Sequence, residues 1–284
     1  MKRLSDIGTI KEILSRHGFS FSKGLGQNFL INPSVCPRMA ELSGAGEGVG
    51  VIEIGPGIGV LTQELCELAD KVVAIEIDKR LLPVLDETLA GYDNLKVINA
   101  DVLELDLNRL IADEFADMDV VVCANLPYYI TSPVIMKLLE DKLRVSSITV
   151  MVQKEAAQRI CAEVGSRRGG AVTAAVNFYC KPGLLFNVSA GSFMPAPKVD
   201  SAVIRLDVYS EPPYKLADDK KFFTVVKAAF AQRRKTVLNS ISSSLGLEKH
   251  VVNELLLNSE VNPQARAEKL SMDDFVRIAQ GLKL

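Results

Sequence analysis

Tryptophan is absent and histidine nearly so: His17 and His250 are the only imidazoles in 284 residues. That scarcity argues against a Ser-His-Asp hydrolase and against a histidine-built metal centre, since both need imidazole in defined roles. The five cysteines (Cys36, Cys66, Cys123, Cys161, Cys180) are odd in number and scattered, with no C-x-x-C pair. This fits free thiols in a reducing, cytoplasmic compartment, not a disulfide framework or a zinc site, and no metal is expected. No apolar run approaches the ~20 residues of a membrane span. Charges interrupt the opening MKRLSDIGTIKEIL, unlike a secretory signal. A cytoplasmic protein with no membrane partner is expected. With 48% hydrophobic and 24% charged residues, the chain has ordinary globular composition and room for one large domain plus a small one.

A net charge of −2 alone argues against a polyanion as partner, but its distribution does not. Residues 1–40 carry 6 basic and 2 acidic side chains, 41–141 carry 6 and 20, 142–210 carry 9 and 4, and 211–284 carry 12 and 9. An acidic body with basic ends can bind a polyanion on one face and stay soluble. The alternative is an ordinary solvated surface on which some basic groups serve as i,i+4 partners.

From residue 49 short β-branched runs alternate with amphipathic segments: GVGVIEIG, VLTQELCELAD, KVVAIEID, KRLLPVLDETLA, LKVINAD, DVVVCANLP and later SSITVMVQK. Apolar runs of four to seven residues ending at Gly, Asp or Asn read as buried parallel strands. Leu61, Leu65 and Leu68 show the helical spacing between them. This order predicts a doubly wound α/β sheet. Residues 171–180 read as helix or strand, 201–208 as a strand, and Pro-Pro-Tyr at 212–214 as a break before a strand-poor helical stretch. The expected division is 1–208, including a helical and basic segment 1–40, and a small helical domain 209–284.

Glu53-Ile-Gly55-Pro-Gly57-Ile-Gly59 leaves the first strand and enters a helix. Glycines there let backbone approach a ligand that faces helix N–H groups. The G-x-G-x-G spacing is an imperfect dinucleotide fingerprint. Glu76 ends the second strand, where an acid can accept two ribose hydroxyls. Asp101 follows the third, where a carboxylate can accept from an adenine amine. Together these predict an adenosyl cofactor, although each acid alone could be a solvated loop residue.

Asn125-Leu126-Pro127-Tyr128 closes the fourth strand. The exocyclic amine of a base is a poor nucleophile because its lone pair is delocalised. An Asn oxygen and the Leu126 carbonyl, held before Pro127, can accept its two N–H groups and favour a pyramidal nitrogen. Tyr128 offers a face for stacking, worth roughly 1–3 kcal/mol per base. The bland reading is a strand-to-loop turn with Asn and Pro as turn formers.

With these residues assembled, the chain resembles the small-subunit ribosomal RNA adenine N6,N6-dimethyltransferases, the kasugamycin-sensitivity family of dimethyladenosine transferases. The resemblance covers GLGQNFLINP (24–33), VIEIGPGIGVLT (51–62), VVAIEID (72–78), NAD (99–101), NLPYYI (125–130), VQKEAAQRI (152–160) and SFMPAPKVDSAVIRL (192–206). AFAQRRKTVLNS and NPQARAEKLS also fit. The resemblance implies a Rossmann-like class I methyltransferase sheet, with S-adenosylmethionine as cofactor and a C-terminal domain that binds RNA. It implies that Asn28, Leu30, Gly55 and Gly57 contact the methionine end of the cofactor. Glu76 would take the ribose and Asp101 the cofactor adenine, while Asn125, counted among the cofactor-binding residues as well, would with Leu126 take the target amine. Tyr128 and Phe193, the latter expected in a loop after the sixth strand, would hold the flipped base between two rings. The implied partner is ribosomal RNA in the assembling small subunit. Its target would be two adjacent adenosines in a hairpin near the 3′ end, each methylated twice by a monomeric enzyme. Lys2, Arg3, Lys23, Arg167, Arg168, Arg233, Arg234 and Lys235 would contact phosphates.

Two departures stand out. SRRGGAVTA (166–174) lacks the aromatic-Gly pair frequent there, and Tyr129 replaces an Asn found in many members. Rival readings are a macrolide-resistance methyltransferase of large-subunit rRNA, a non-catalytic assembly or transcription factor on the same fold, and an NAD(P) oxidoreductase. N-L-P-Y, the P-A-P-K-V-D-S-A-V stretch and the Q-R-R-K helix favour the small-subunit enzyme. The oxidoreductase would need a Tyr-x-x-x-Lys or a catalytic His, and neither is present.

Overall fold

A computed structural model describes residues 4–19 and 28–283. Lys2, Arg3, Lys23 and the start of GLGQNFLINP lie outside the described residues. By contacts the chain divides into two compact units, Met1–Ala157 with Gly183–Val208 and Gln158–Pro182 with Tyr209–Leu284.

The first unit is built on a seven-stranded sheet. In chain order the strands and helices used below are α1 (Ile7–Arg16), β1 (Phe29–Leu30), α2 (Val35–Ser43), β2 (Val49–Ile54), α3 (Val60–Leu68), β3 (Lys71–Glu76), α4 (Leu82–Thr88), β4 (Leu95–Asn99), α5 (Leu107–Phe115), β5 (Asp119–Asn125), α6 (Thr131–Glu140), β6 (Ser147–Gln153), α7 (Lys154–Ile160), α8 (Ala171–Tyr179), β7 (Cys180–Val188), β8 (Phe193–Met194) and β9 (Ser201–Val208). The sheet order is β4-β3-β2-β5-β6-β9-β7. β2 to β6 run parallel, and β9 is antiparallel to β6. Connections reverse direction beside β2, so the carboxyl ends of β2, β3 and β5 frame a crevice where such sheets hold ligands.

The parallel strands read as continuous apolar runs because helices cover both faces. On one face Val51, Val72, Val121, Cys123, Met151 and Val203 pack with Cys36, Met39 and Ala40 of α2 and with Leu61, Leu65 and Cys66 of α3. Phe115 of α5 lies so close over Gly50 that a β-carbon there would stand 2.1 Å from its ring. Elsewhere α1 buries Ile10, Ile13 and Leu14 against Phe29, Ile58, Leu81 and Val84. Its C-terminal end is tied to α4, where Arg16 and His17 both bond Glu87.

In the second unit α9 (Asp219–Phe230), α10 (Val237–Leu245), α11 (Lys249–Asn258) and α12 (Met272–Gly281) follow one another. Each start has a local cause where a side chain caps it: Asp218 accepts from Lys220 N, Thr236 from Asn239 N, and Ser271 and Asp274 form a reciprocal capping box on α12. The core is aromatic, with Phe178 stacked on Phe222 at 4.2 Å and on Tyr214 at 5.9 Å, and Phe230 beside Phe275. Residues 171–179 are helical, which settles the ambiguity of that apolar segment. The Thr173 hydroxyl accepts from Gly170 N and donates to the Arg159 carbonyl, fixing the helix start. No described helix is long and apolar enough to cross a membrane.

Candidate functional site

The turn after β2 is shaped by three residues in the left-handed region, Gly55 (φ 72°), Gly57 (φ 62°) and Gly59 (φ 91°). At Gly57 space is short as well, since a β-carbon would meet the Phe29 ring at 3.3 Å. The turn therefore needs glycine there on two grounds. Gly59 caps α3, so the helix begins directly behind the turn.

Glu76, at the end of β3, is 4% exposed. Its Oε1 accepts from Asp78 N at 2.8 Å and its Oε2 from Gly57 N at 3.3 Å, so the carboxylate joins β3 to the glycine turn. Burial raises its pKa, and these backbone donors oppose the rise. Asp101 follows β4, and its Oδ1 accepts from Leu103 N at 2.9 Å, which fixes the turn that carries it.

Asn125 is the last residue of β5, opposite Met151 of β6. Leu126, 1% exposed, donates its N–H to the Met151 carbonyl, and Pro127 O accepts from Ile130 N to close a turn. Within this turn the half-buried Tyr128 hydroxyl meets Ser201 Oγ at 2.8 Å, and burial raises its pKa. Tyr129, the departure from the family pattern, is 58% exposed.

The wall opposite is a two-stranded ribbon in which Leu30 of β1 pairs with Phe193 of β8. Ile31 N donates to Ser192 O, and Asn32 Nδ2 to Ser192 Oγ, which extends the contact. Phe193 was expected in a loop; it lies instead in β8, 4% exposed and packed into the core below α2 and α3. Its ring is held by pairing and packing.

One cavity of about 280 Å³ is lined by all the residues expected at the cofactor and the target base: Asn28, Leu30, Gly55, Gly57, Glu76, Asp101, Asn125, Leu126, Pro127, Tyr128 and Phe193. Ile77 and Leu103, both exposed and apolar, sit at its lining beside Glu76 and Asp101. Sequence reading passed over these two, and over Ser201, whose 73-residue separation from Tyr128 hides the contact. It also passed over Glu53, an acid at the parity of Val51 within a buried strand, which is itself an anomaly that signals a site.

Among the described residues the lining holds three carboxyl groups, Glu53, Glu76 and Asp101, and no Lys, Arg or His. Such a set suits a ligand rich in hydroxyl, amine and positive charge, and it would repel the pyrophosphate of a dinucleotide. Adenosine joined to a cationic amino acid fits this cavity chemically. Among the described residues no group of three or more His, Cys, Asp or Glu is placed to hold a metal ion.

Comparison with known proteins gives a consistent answer. The sequence model of the family described as ribosomal RNA adenine dimethylase matches residues 18–283. The ribosomal RNA small subunit methyltransferase A of Geobacillus thermodenitrificans is 47% identical over 285 residues, covering 99% of this chain and 97% of that one. Among solved structures, a dimethyladenosine transferase from Plasmodium falciparum matches with a TM-score of 0.69 at 28% identity, over 88% of this chain and 95% of that one. The 23S rRNA methyltransferase ErmE matches with a TM-score of 0.64 at 27% identity, over 90% and 99%.

Proposed function

The chain belongs to the ribosomal RNA adenine dimethylase family, and on that premise we propose that it dimethylates N6 of adenosines in small-subunit ribosomal RNA with S-adenosylmethionine as donor. The observation that carries the reading is the convergence of the acids after β3 and β4, the Asn-Leu-Pro-Tyr turn after β5 and Phe193 on one cavity. Names of relatives favour the small subunit, at 47% identity for the bacterial methyltransferase against 27% for the large-subunit enzyme.

When bound, the cofactor supplies an electrophilic methyl group on a sulfonium. Glu76 accepts the ribose hydroxyls, with its own oxygens oriented by Gly57 N and Asp78 N. Asp101 accepts from the cofactor adenine, while Ile77 and Leu103 offer apolar surface beside it. Asn28, Leu30, Gly55 and Gly57 line the part of the cavity assigned to the amino-acid end. The Asn125 side-chain oxygen and the Leu126 carbonyl accept the two N–H groups of the target amine, which localises its lone pair on nitrogen. Tyr128 and Phe193 stack on the base and replace the stacking it loses on leaving its own strand. In the second round the amine keeps one N–H for these acceptors. Methylation makes the nitrogen acidic, so its proton passes to water without a strong base.

The substrate is a pair of adjacent adenosines in a hairpin near the 3′ end of the RNA, met by a cytoplasmic monomer late in subunit assembly. RNA is held by the second unit, residues 209–284 above all, where Arg233, Arg234 and Lys235, expected on a helix, are instead exposed in the turn between α9 and α10; Arg167 and Arg168 are also exposed. The test is label transfer from S-adenosylmethionine to small subunits lacking the modification, with large-subunit rRNA alongside. Label in the small subunit alone is expected. Label in large-subunit RNA would move the chain to the resistance-type activity, and none in either would leave an assembly factor without chemistry.

A further inference from the structure

Glu53 is next to last in β2 and shares the parity of Val51. Its side chain therefore enters the layer beneath α2 and α3, where it is 1% exposed. Its Oε2 and the neighbouring Thr62 Oγ1 are both buried without a hydrogen bond of good geometry among the described residues, yet Glu53 lines the cavity. The groups that face it are the thiols of Cys36 from α2, Cys66 from α3 and Cys123 from β5, and the carboxyl of Glu76 from β3. Thr62 of α3 supplies a neutral hydroxyl, and Glu64 of the same helix acts on Cys36 behind. Among the described residues, every ionisable group that these contacts place in this shell is neutral or negative when it titrates.

Burial first, and the charge of Glu76 after it, raise the Glu53 carboxyl to about 8. In the unliganded chain Glu53 is then mostly a neutral acid at pH 7. An isolated buried carboxylate is costly, but the same position beside a bound cation becomes favourable for the charged form.

Resting on the reading that this cavity takes S-adenosylmethionine, we propose that Glu53 is a proton-linked counter-charge, losing its proton when the cationic cofactor enters and regaining one when the cofactor leaves. The bond that breaks is the Glu53 O–H. Its proton goes to the buffer, and the electron pair stays on the carboxylate facing the cofactor's positive charge. That charge could be the ammonium or the sulfonium, and the two are separable by ligand. S-adenosylhomocysteine keeps only the ammonium, and methylthioadenosine has neither.

The direction follows from linkage. The carboxyl titrates higher in the free chain than in the complex, so affinity rises with pH up to about 8 and is flat above, where the free carboxyl is already ionised. An opposite charge nearby lowers a carboxyl by roughly 1–3 units, which makes binding about 2- to 8-fold tighter at pH 7 than at pH 6. The ligand's own amine titrates near pH 8, and an ionised Glu53 beside it would hold it protonated in wild type alone, so wild type and Glu53→Gln are compared at pH 6 and 7, where the free amine is already mostly protonated.

Calorimetric titration of the full chain in buffers of different ionisation heat measures both affinity and protons released. At pH 7, S-adenosylmethionine is expected to release most of one proton per site from wild type and none beyond the ligand's own from Glu53→Gln. Methylthioadenosine releases none from either. Linkage shared by S-adenosylhomocysteine assigns the ammonium as the partner charge, and linkage confined to S-adenosylmethionine assigns the sulfonium. Binding without proton release, or equal release with methylthioadenosine, overturns the proposal while leaving the cofactor reading intact. Failure of wild type to bind S-adenosylmethionine at any pH overturns the cofactor reading and this proposal with it. Should Glu53→Gln fail to fold, the comparison of the three ligands on wild type still decides.

Discussion

Replacing Tyr128 in two steps separates its ring from its hydroxyl. The hydroxyl bonds Ser201 Oγ at 2.8 Å, and Ser201 is 0% exposed. Tyr128→Phe keeps the stacking face but removes this tether and leaves a buried hydroxyl without its partner. A net hydrogen bond contributes about 0.5–1.5 kcal/mol, so a loss of roughly 2- to 12-fold in kcat/KM is expected if the tether only orients the ring. Tyr128→Ala removes the face itself. Base stacking on an aromatic side chain contributes about 1–3 kcal/mol, which makes the loss roughly 5- to 150-fold beyond that of Phe. Initial rates of label transfer to unmethylated small subunits measure both, with cofactor affinity determined in parallel. Cofactor binding is expected to hold in both variants, because Tyr128 is assigned to the base. Ser201→Ala is expected to match Tyr128→Phe, and the double variant to lose no more than either alone. Equal activity for the Phe and Ala variants would refute the stacking role, and unchanged activity in both would remove Tyr128 from the site.

Other expectations follow from particular contacts. Gly57→Ala forces φ 62° on a residue with a side chain and drives a methyl to 3.3 Å from the Phe29 ring. A strain of about 1–2 kcal/mol predicts roughly 5- to 30-fold weaker cofactor binding by calorimetry, together with a lower melting temperature. RNA affinity is expected to fall steeply with salt, and Arg233→Gln with Arg234→Gln to flatten the log–log slope while cofactor affinity stays constant. A slope unchanged by that pair would take the α9–α10 turn out of the RNA contact. Lys96 and Lys71 hold the Glu114 carboxyl below its usual range. Its stabilisation is therefore present above the ordinary carboxylate pKa and lost as pH falls through the depressed one. Glu114→Gln is expected to lower the urea midpoint at pH 7 and to have no effect once pH is below both values.

The parallel strands were legible because both faces are covered and runs such as VVAIE and VVVCAN are apolar until their last residue. The residues at their carboxyl ends were legible for the same reason: topology puts ligand chemistry there. β7 was not. Pro182 and Gly183 interrupt its run, which an edge strand tolerates because a missing N–H costs no ladder bond there. The ribbon of Leu30 with Phe193 joins residues 163 apart in the chain, and neither two-residue strand has a period to detect. Residues 158–182 group with the C-terminal helices through Phe178 and its stack on Phe222, a packing fact without local signature. Glu53 was visible but absorbed into a glycine motif, when its parity with Val51 already placed a carboxyl in the core.

The central claim is that the turn after β5 turns an adenine amine into a nucleophile at the cofactor cavity. Unmethylated small subunits incubated with S-adenosylmethionine, digested and separated as nucleosides, test it with wild type beside Asn125→Ala. N6,N6-dimethyladenosine is expected from wild type, with a loss of a hundredfold or more in Asn125→Ala at unchanged cofactor binding. An Asn125→Ala protein that still forms dimethyladenosine at the wild-type rate would contradict the account.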